Sequence, residues 1–351
     1  MKIVSIVGAR PQFVKESIFQ KELRKHSDIE EILVHTGQHY DFNMSESFFK
    51  DLNIDMPKYN LNINNKTNTA MTAEMMLEIE KILITEKPDY ILVYGDTNST
   101  LAGALVARKM GIKVVHIEAG LRQNPKDMPE EINRVLTDHS SHLLFTPSIH
   151  AVENLKFEGI VEGVHNVGDI MYDLFLENKK HFNQQIHEKF NLKINDYIVL
   201  TMHRDFNVDD PKILEKILIA LKKISMKITI VFPIHPRTRS RIKQFGFEHY
   251  LEKIMIINPL SYFDLMGLTM NSKKVITDSG GFQKESYFLN KNACVLMPDT
   301  AWIELIKENI NTLVNHENLF DVVFNKSNEI TNTNIYGNGK AAKKIIEIII
   351  K

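Results

Sequence analysis

The chain has 351 residues, 43% of them hydrophobic and 25% charged, with 43 basic residues against 44 acidic ones. That length is too great for one ordinary core and points to two domains of a globular protein. A formal net charge of −1 excludes a general nucleic-acid footprint but not a local phosphate pocket, and Cys294, the single cysteine, excludes an intrachain disulfide and a cysteine-based zinc site.

Met1-Lys2-Ile3-Val4-Ser5-Ile6-Val7-Gly8 is a short apolar run ending in a turn, expected as a buried first strand rather than a signal peptide. Further strands are expected at 31–35, 90–94, 113–117 and 143–146, with helices at 69–86 and 99–110. A second series follows at 197–202, 227–233, 254–257, 274–277 and 293–296. Strands alternating with helices imply βαβ units and parallel sheets, so the fold class is α/β with two doubly wound halves. The expected organisation is a first domain over 1–168, a second over 169–338 and a terminal helix over 339–351. The join lies near Val167-Gly168-Asp169 and is followed by a helical, polar stretch over 170–189; 62–68 and 325–338, rich in Asn, read as solvated loops. No stretch approaches the roughly 18 apolar residues of a membrane span. A cytoplasmic protein with no membrane and no nucleic-acid partner is expected.

Carboxylates at the carboxyl ends of parallel strands face the crevice where open α/β sheets bind ligands. Asp96 follows the run 90–94, Glu118 ends the run 113–117, and Glu130 starts a helix behind Pro129. Together they suit proton transfer; alternatively, Asp96 caps a helix and Glu130, Glu131 and Arg134 make solvated surface pairs. Gly8-Ala9-Arg10-Pro11 joins the first strand to a helix, offering free N–H groups to an anion, with Arg10 and Lys15 as cations or as plain surface charges. In 274–285, a strand runs through Asp278-Ser279-Gly280-Gly281 into a helix carrying Glu285. The glycines admit a phosphate and Glu285 would accept from ribose hydroxyls; otherwise this is a tight turn capped by Asp278 or Ser279. His203 and His235 end strands of the second half, where a histidine can donate to a diphosphate or move a proton; otherwise they are structural. His35, His39, His116, His139 and His142 lack ligand spacing, so no obligate metal is expected. No GxGxxG run occurs, so no dinucleotide cofactor is expected. Cys294 reads as inert packing.

Taken in order, Gly8-Ala9-Arg10-Pro11, Thr36-Gly37-Gln38-His39, Gly95-Asp96-Thr97-Asn98-Ser99-Thr100, Glu118-Ala119-Gly120-Leu121-Arg122, Pro129-Glu130-Glu131-Ile132-Asn133-Arg134, His203-Arg204 and Asp278-Ser279-Gly280-Gly281 resemble the non-hydrolysing UDP-N-acetylglucosamine 2-epimerases. The resemblance implies two Rossmann-like domains facing across a cleft in the glycosyltransferase-B manner, with the last helix packing back on the first domain. It implies a homodimer without cofactors that interconverts UDP-GlcNAc and UDP-ManNAc. Asp96, Glu118, Glu130 and His203 would be catalytic. Arg10, Lys15, Arg122, His235, Ser279, Gly280, Gly281 and Glu285 would bind the UDP-sugar. The implied route is anti elimination of UDP from C1 and C2 followed by re-addition.

Several positions depart from the family pattern. Gln12 and Lys284 stand where many relatives have Glu, and Asp205-Phe206-Asn207 replaces the usual residues after His203-Arg204. The run Met297-Pro298-Asp299-Thr300-Ala301-Trp302 lacks the customary Arg and Glu. Gln38-His39-Tyr40-Asp41 lacks a second glutamine, and no arginine lies between Arg24 and Arg108, so the allosteric activation of bacterial relatives is expected to be altered or absent. The competing expectations are a 2-epimerase of a modified UDP-hexosamine such as a 2,3-diacetamido uronic acid, a hydrolysing 2-epimerase, a glycosyltransferase, or a nucleotide-sugar-binding regulator.

Overall fold

The computed structural model describes residues 1–38, 54–64, 66–326 and 328–351; His39, Tyr40 and Asp41 of the expected motif lie outside them. Two compact units are formed, one from Met1–Glu177 with Asn334–Lys351 and the other from Asn178–Thr333. The divisions thus fall after 177 and 333 rather than at 168 and 338. The reason is burial: Ile170 and Leu174 sit in the first unit's core, and the Asp169 amide donates to the Tyr336 carbonyl at 3.0 Å.

The first unit holds seven parallel strands: β1 (Lys2–Val7), β2 (Glu30–His35), β3 (Tyr59–Asn60), β4 (Tyr90–Tyr94), β5 (Lys113–Ile117), β6 (Leu143–Thr146) and β7 (Val164–Asn166). Their order is β3-β2-β1-β4-β5-β6-β7. Helices α1 (Arg10–Leu23), α2 (Asn68–Glu86), α3 (Asn98–Lys109), α4 (Pro129–Ser140) and α5 (Ile149–Phe157) connect them. Strands covered on both faces read as continuous apolar runs, with alternate residues serving opposite sides. Ile3, Val7, Leu92, Tyr94, Val115 and Ile117 pack with Phe13 and Phe19 of α1. Val4, Ile6, Ile91, Val93 and Val114 pack instead with Met75 and Ile79 of α2 and Ala102 and Val106 of α3. Gly103 lets α3 lie close, since a Cβ there would be 3.2 Å from both Ile6 Cγ1 and Val93 Cγ1.

The last helix, Ala341–Ile349, lies against α1. It buries Ala341, Ala342, Ile345, Ile346 and Ile349, a helical stripe, in the same core as Phe13 and Phe19. Each isoleucine so buried contributes roughly 1.5–3 kcal/mol relative to exposure.

The second unit repeats the plan with β8 (Tyr197–Thr201), β9 (Thr229–Pro233), β10 (Met255–Ile257), β11 (Lys274–Thr277), β12 (Ala293–Val295) and β13 (Thr312–Leu313), all parallel, in the order β10-β9-β8-β11-β12-β13. Ile198, Leu200, Ile230, Phe232, Ile276 and Cys294 form its core with Leu214, Leu218 and Leu221 from helix Pro211–Ser225. Burial pushes the Cys294 thiol up to about 11, which keeps it protonated and unreactive.

In each sheet one strand has its sequence successor on one side and a later strand on the other: β1 pairs with β2 and β4, β8 with β9 and β11. The loops leaving such neighbouring strands diverge and open the crevice where doubly wound sheets take ligands. No helix among the described residues is long and apolar enough to cross a membrane.

Two stretches differ from expectation. Residues 170–189 form helix Ile170–Asn178, a 3-10 turn Lys179–His181 and short helix Ile186–Lys189, and they bury Phe175, Phe182 and Ile186 rather than staying polar. Within 325–338, Tyr336 is buried at 1% exposure because its carbonyl closes the first unit. Gly168 (φ +94) makes that closure fit: a Cβ there would lie 2.7 Å from the Tyr336 oxygen. Gly168→Ala is therefore expected to cost about 1–3 kcal/mol, read as a lower denaturant midpoint. An unshifted midpoint would show that this junction yields freely.

Candidate active site

The rim of the first unit is assembled at the carboxyl ends of β1, β4 and β5. Gly95 (φ +62) turns the chain out of β4. Asp96 follows, its carboxylate 2.5 Å from Arg134 Nη2 and its carbonyl accepting from Asn133 Nδ2 at 2.9 Å. Thr97, not Asp96, caps α3, its Oγ1 accepting from Thr100 N at 3.2 Å. That leaves Asp96 as a part-exposed carboxylate steered from α4.

Glu118 leaves β5 at φ +74, a left-handed conformation that costs a side-chain-bearing residue energy and that clusters at functional sites. Its Oε1 accepts from Lys15 Nζ at 2.6 Å, the two side chains being 13% and 7% exposed. This pair presses on the Asp96 turn, since a Cβ on Gly95 would lie 3.2 Å from Glu118 Oε1 and 3.5 Å from Lys15 Nζ. Asp96, Glu118 and Lys15 are thereby brought together. Glu130 stands exposed on the first turn of α4. Beside it, Glu131 is buried and accepts from Arg134 Nη1 at 2.8 Å and Gln123 N at 3.0 Å, so the expected surface pair is an interior one.

Arg122 is committed to protein carboxylates. Its Nε and Nη2 hold Glu158 at 2.7 and 2.6 Å, and its Nη1 reaches Asp138 at 2.8 Å.

The loop between β1 and α1 differs from expectation. Gly8 is required by packing, because a Cβ there would meet Ser99 Oγ at 2.1 Å and Thr36 Oγ1 at 2.3 Å. The amides of Gly8 and Ala9 are not open to an anion: both donate to Gln12 Oε1, at 2.8 and 3.0 Å. Gln12 Nε2 in turn donates to the Tyr94 carbonyl at 2.8 Å and faces Thr97 Oγ1 and Thr100 Oγ1 at 3.0 and 2.9 Å. One buried amide therefore ties the β1 loop to the β4 loop. Arg10 is exposed as the first residue of α1.

The rim of the second unit is built around buried Asp278. Its carboxylate accepts from His203 N at 2.9 Å, Arg204 N at 2.9 Å and Asn207 Nδ2 at 3.1 Å. Asp278 thus locks the β8 loop, while Ser279 caps helix Gly280–Phe288, its Oγ accepting from Phe282 N at 3.4 Å. His203 Nδ1 lies 3.3 Å from Asp278 Oδ1, and its ring is 5.4 Å from that of His235. Burial holds the His203 imidazole below its ordinary value against the pull of Asp278, helped by Arg204, His235 and Arg237. His235 is exposed and caps helix Pro236–Phe245, its Nδ1 accepting from Arg237 N at 3.2 Å.

Gly280 and Gly281 contrast with Gly8. A Cβ on Gly281 would meet nothing within 4 Å and one on Gly280 only Trp302 Nε1 at 3.7 Å, with neither residue at positive φ. Neither packing nor backbone conformation calls for glycine here, and first-turn amides of a helix lack intrahelical partners. The space left beside both residues is open to a ligand's approach. Nearby, Lys284 Nζ stands 3.7 Å from the Trp302 ring centroid. Burial pushes the Glu285 carboxyl up to about 7 against the opposing charge of Lys284. Among the described residues, no group of three or more His, Cys, Asp or Glu side chains is arranged to hold a metal ion.

The family model described as UDP-N-acetylglucosamine 2-epimerase matches residues 21–350. The chain belongs to this family. It is accordingly an epimerase, an isomerase by reaction class. A Methanococcus maripaludis protein described as a UDP-N-acetylglucosamine 2-epimerase homolog is 46% identical over 361 residues, covering 99% of each chain. The Pseudomonas aeruginosa UDP-2,3-diacetamido-2,3-dideoxy-D-glucuronate 2-epimerase is 42% identical over 362 residues, covering 100% of each. The crystal structure of Methanocaldococcus jannaschii UDP-GlcNAc 2-epimerase in complex with UDP-GlcNAc and UDP is 42% identical, with a TM-score of 0.86 over 100% of this chain and 99% of that one.

In this epimerase the Gln12 bridge between the β1 and β4 loops has a measurable consequence. Gln12→Glu would set a carboxylate oxygen against the Tyr94 carbonyl and remove a donor. A loss of about 1–3 kcal/mol is expected, read from the denaturant midpoint at neutral pH. Unchanged stability would mean the glutamine knot is dispensable.

Proposed function

We propose that this epimerase is non-hydrolysing and interconverts UDP-N-acetylglucosamine and UDP-N-acetylmannosamine. The observation that carries the reading is the pair of glycines at 280 and 281, which protein packing does not explain and a diphosphate does. It is supported by Asp96, Glu118 and Lys15 gathered at the β1/β4 switch, and by the UDP and UDP-GlcNAc bound in the related crystal structure.

The chemistry follows from the substrate. A C2 proton of a hexosamine is weakly acidic, so inversion proceeds by elimination. One carboxylate of Asp96, Glu118 and Glu130 takes the C2 proton as the C1–O bond to UDP breaks, leaving a 2-acetamidoglucal-like alkene. UDP re-adds at C1 and a proton is delivered to the other face of C2. Positioned acid–base groups of this kind contribute about 10²–10⁴-fold. The departing diphosphate needs N–H and cationic donors, for which the first-turn amides, Ser279, His203 and His235 of the second unit are the proposed set; on the first unit Arg10 is proposed as a cation for the substrate and Arg122 as the brace of the acid–base loop. Glu285 would receive the ribose hydroxyls. The same reading includes a homodimer working in the cytoplasm.

A second reading, a 2,3-diacetamido uronic acid as the sugar, is favoured by the Pseudomonas aeruginosa relative and by Lys284. That buried cation on the helix behind the glycine turn would meet a sugar carboxylate, where a glutamate would repel it.

NMR in D₂O with each UDP-sugar separates the readings. UDP-N-acetylglucosamine is expected to give UDP-N-acetylmannosamine carrying deuterium at C2. Stoichiometric UDP with free sugar would establish hydrolysis instead, and reaction only on adding an acceptor would establish a glycosyltransferase. Asp96→Asn and Glu118→Gln are expected to slow C2 exchange at least about 10²-fold with UDP affinity retained; exchange at the wild-type rate would remove both from the chemistry.

The pH dependence of UDP binding tests Glu285. Ribose hydroxyls donate to the ionised carboxylate, so UDP favours that form, whose proton leaves near about 7 in the free protein. Affinity is expected to rise as pH increases through that value, and the rise to vanish in Glu285→Gln by calorimetry. A rise identical in both proteins would place ribose recognition elsewhere.

A further inference from the structure

His116 is fully buried on β5 and belongs to none of the roles above. Its Nε2 lies 2.8 Å from the Gly95 carbonyl oxygen and its Nδ1 lies 2.7 Å from Asp138 Oδ1. A carbonyl oxygen only accepts, and an ionised carboxylate only accepts, so both ring nitrogens donate. A ring with two donating nitrogens is the imidazolium.

The proton would have to sit on Asp138 for the ring to be neutral. Asp138 Oδ2 already accepts from Gly120 N at 3.1 Å and Arg122 Nη1 at 2.8 Å. Burial alone would favour the protonated acid, but the bonds and charges of His116 and Arg122 outweigh it and hold the carboxyl below its ordinary value. Charge balance agrees. His116 and Asp138 are both wholly buried, so imidazolium and carboxylate cancel there, while Arg122, which also meets Asp138, grips the part-exposed Glu158 that His139 approaches as well.

Gly95 immediately precedes Asp96, and Glu118 lies two residues beyond His116 on the same strand end. The ring is thus the rung that sets one carboxylate-bearing turn against the other. We propose that His116 is a positioning residue, kept as a doubly protonated imidazolium by Asp138, that fixes the Gly95 carbonyl and with it the spacing of Asp96 and Glu118. The charge state stands on the hydrogen-bond geometry, with the charge balance in support; its catalytic consequence rests on the epimerase reading.

Ring ¹⁵N spectra of the full-length protein without substrate, with His116 assigned by difference from His116→Gln, are expected to show protons on both nitrogens at neutral pH. A bare nitrogen on that ring would overturn the proposal. In Asp138→Asn the ring is expected to lose one proton, and kcat for C2 exchange to fall about 10²-fold, as for a small displacement of catalytic groups. KM should stay within about twofold, the signature of a loss confined to the transition state. An unchanged kcat with a deprotonated ring would overturn the positioning role. If Asp138→Asn does not fold, His116→Gln carries the kinetic test, since it removes the charge and keeps a donor. A wild type that never exchanges C2 would sink the epimerase reading while the ring spectrum still decided the charge state.

Discussion

Moving a carboxylate out of water costs several kcal/mol unless donors replace the lost hydration, and each rim is organised around one aspartate under that constraint. Asp138 is surrounded by the His116 ring, the Gly120 amide and Arg122. Asp278 is surrounded by the His203 and Arg204 amides and Asn207. Because donors must come to the buried charge, the loops bearing them have little freedom. Irregular segments, which would otherwise be the softest parts of an α/β unit, are pinned by the need to satisfy an interior anion. The groups exposed on those loops inherit that rigidity.

Much of the fold was legible because the long strands are buried on both faces and read as apolar runs between helical patterns. The strands that escaped, Tyr59–Asn60, Val164–Asn166 and Thr312–Leu313, are two or three residues long, too short to show a period. The stretch beyond Gly168 read as polar because its buried residues are spread across three short elements rather than one stripe. Tyr336 sat among asparagines, and composition could not show that its backbone closes a core.

The strand-end placement of the candidate residues was legible, their partners less so. Asp96 and Glu118 are picked out by strand ends, which the topology then places beside one switch point. Which residues serve them is a matter of distant contact. Gln12 fills the loop amides that local reasoning assigned to a ligand, and Asp138 lies a full helix away from the histidine it charges. The two glycine-containing turns looked alike in sequence. They separate only when the space beside each is measured, one filled by Ser99 and Thr36, the other open.

The first unit is discontinuous, its core completed by Asn334–Lys351 after the whole of Asn178–Thr333. Synthesis therefore produces the second unit before the segment that finishes the first. Until then Phe13, Phe19 and their neighbours on α1 lack the isoleucine stripe that covers them. A nascent chain at that stage exposes an apolar groove and depends on prompt closure, or on a chaperone, to avoid association with its own kind. Loss of a few residues from the terminal helix would consequently harm yield in the cell far more than their distance from the chemistry suggests.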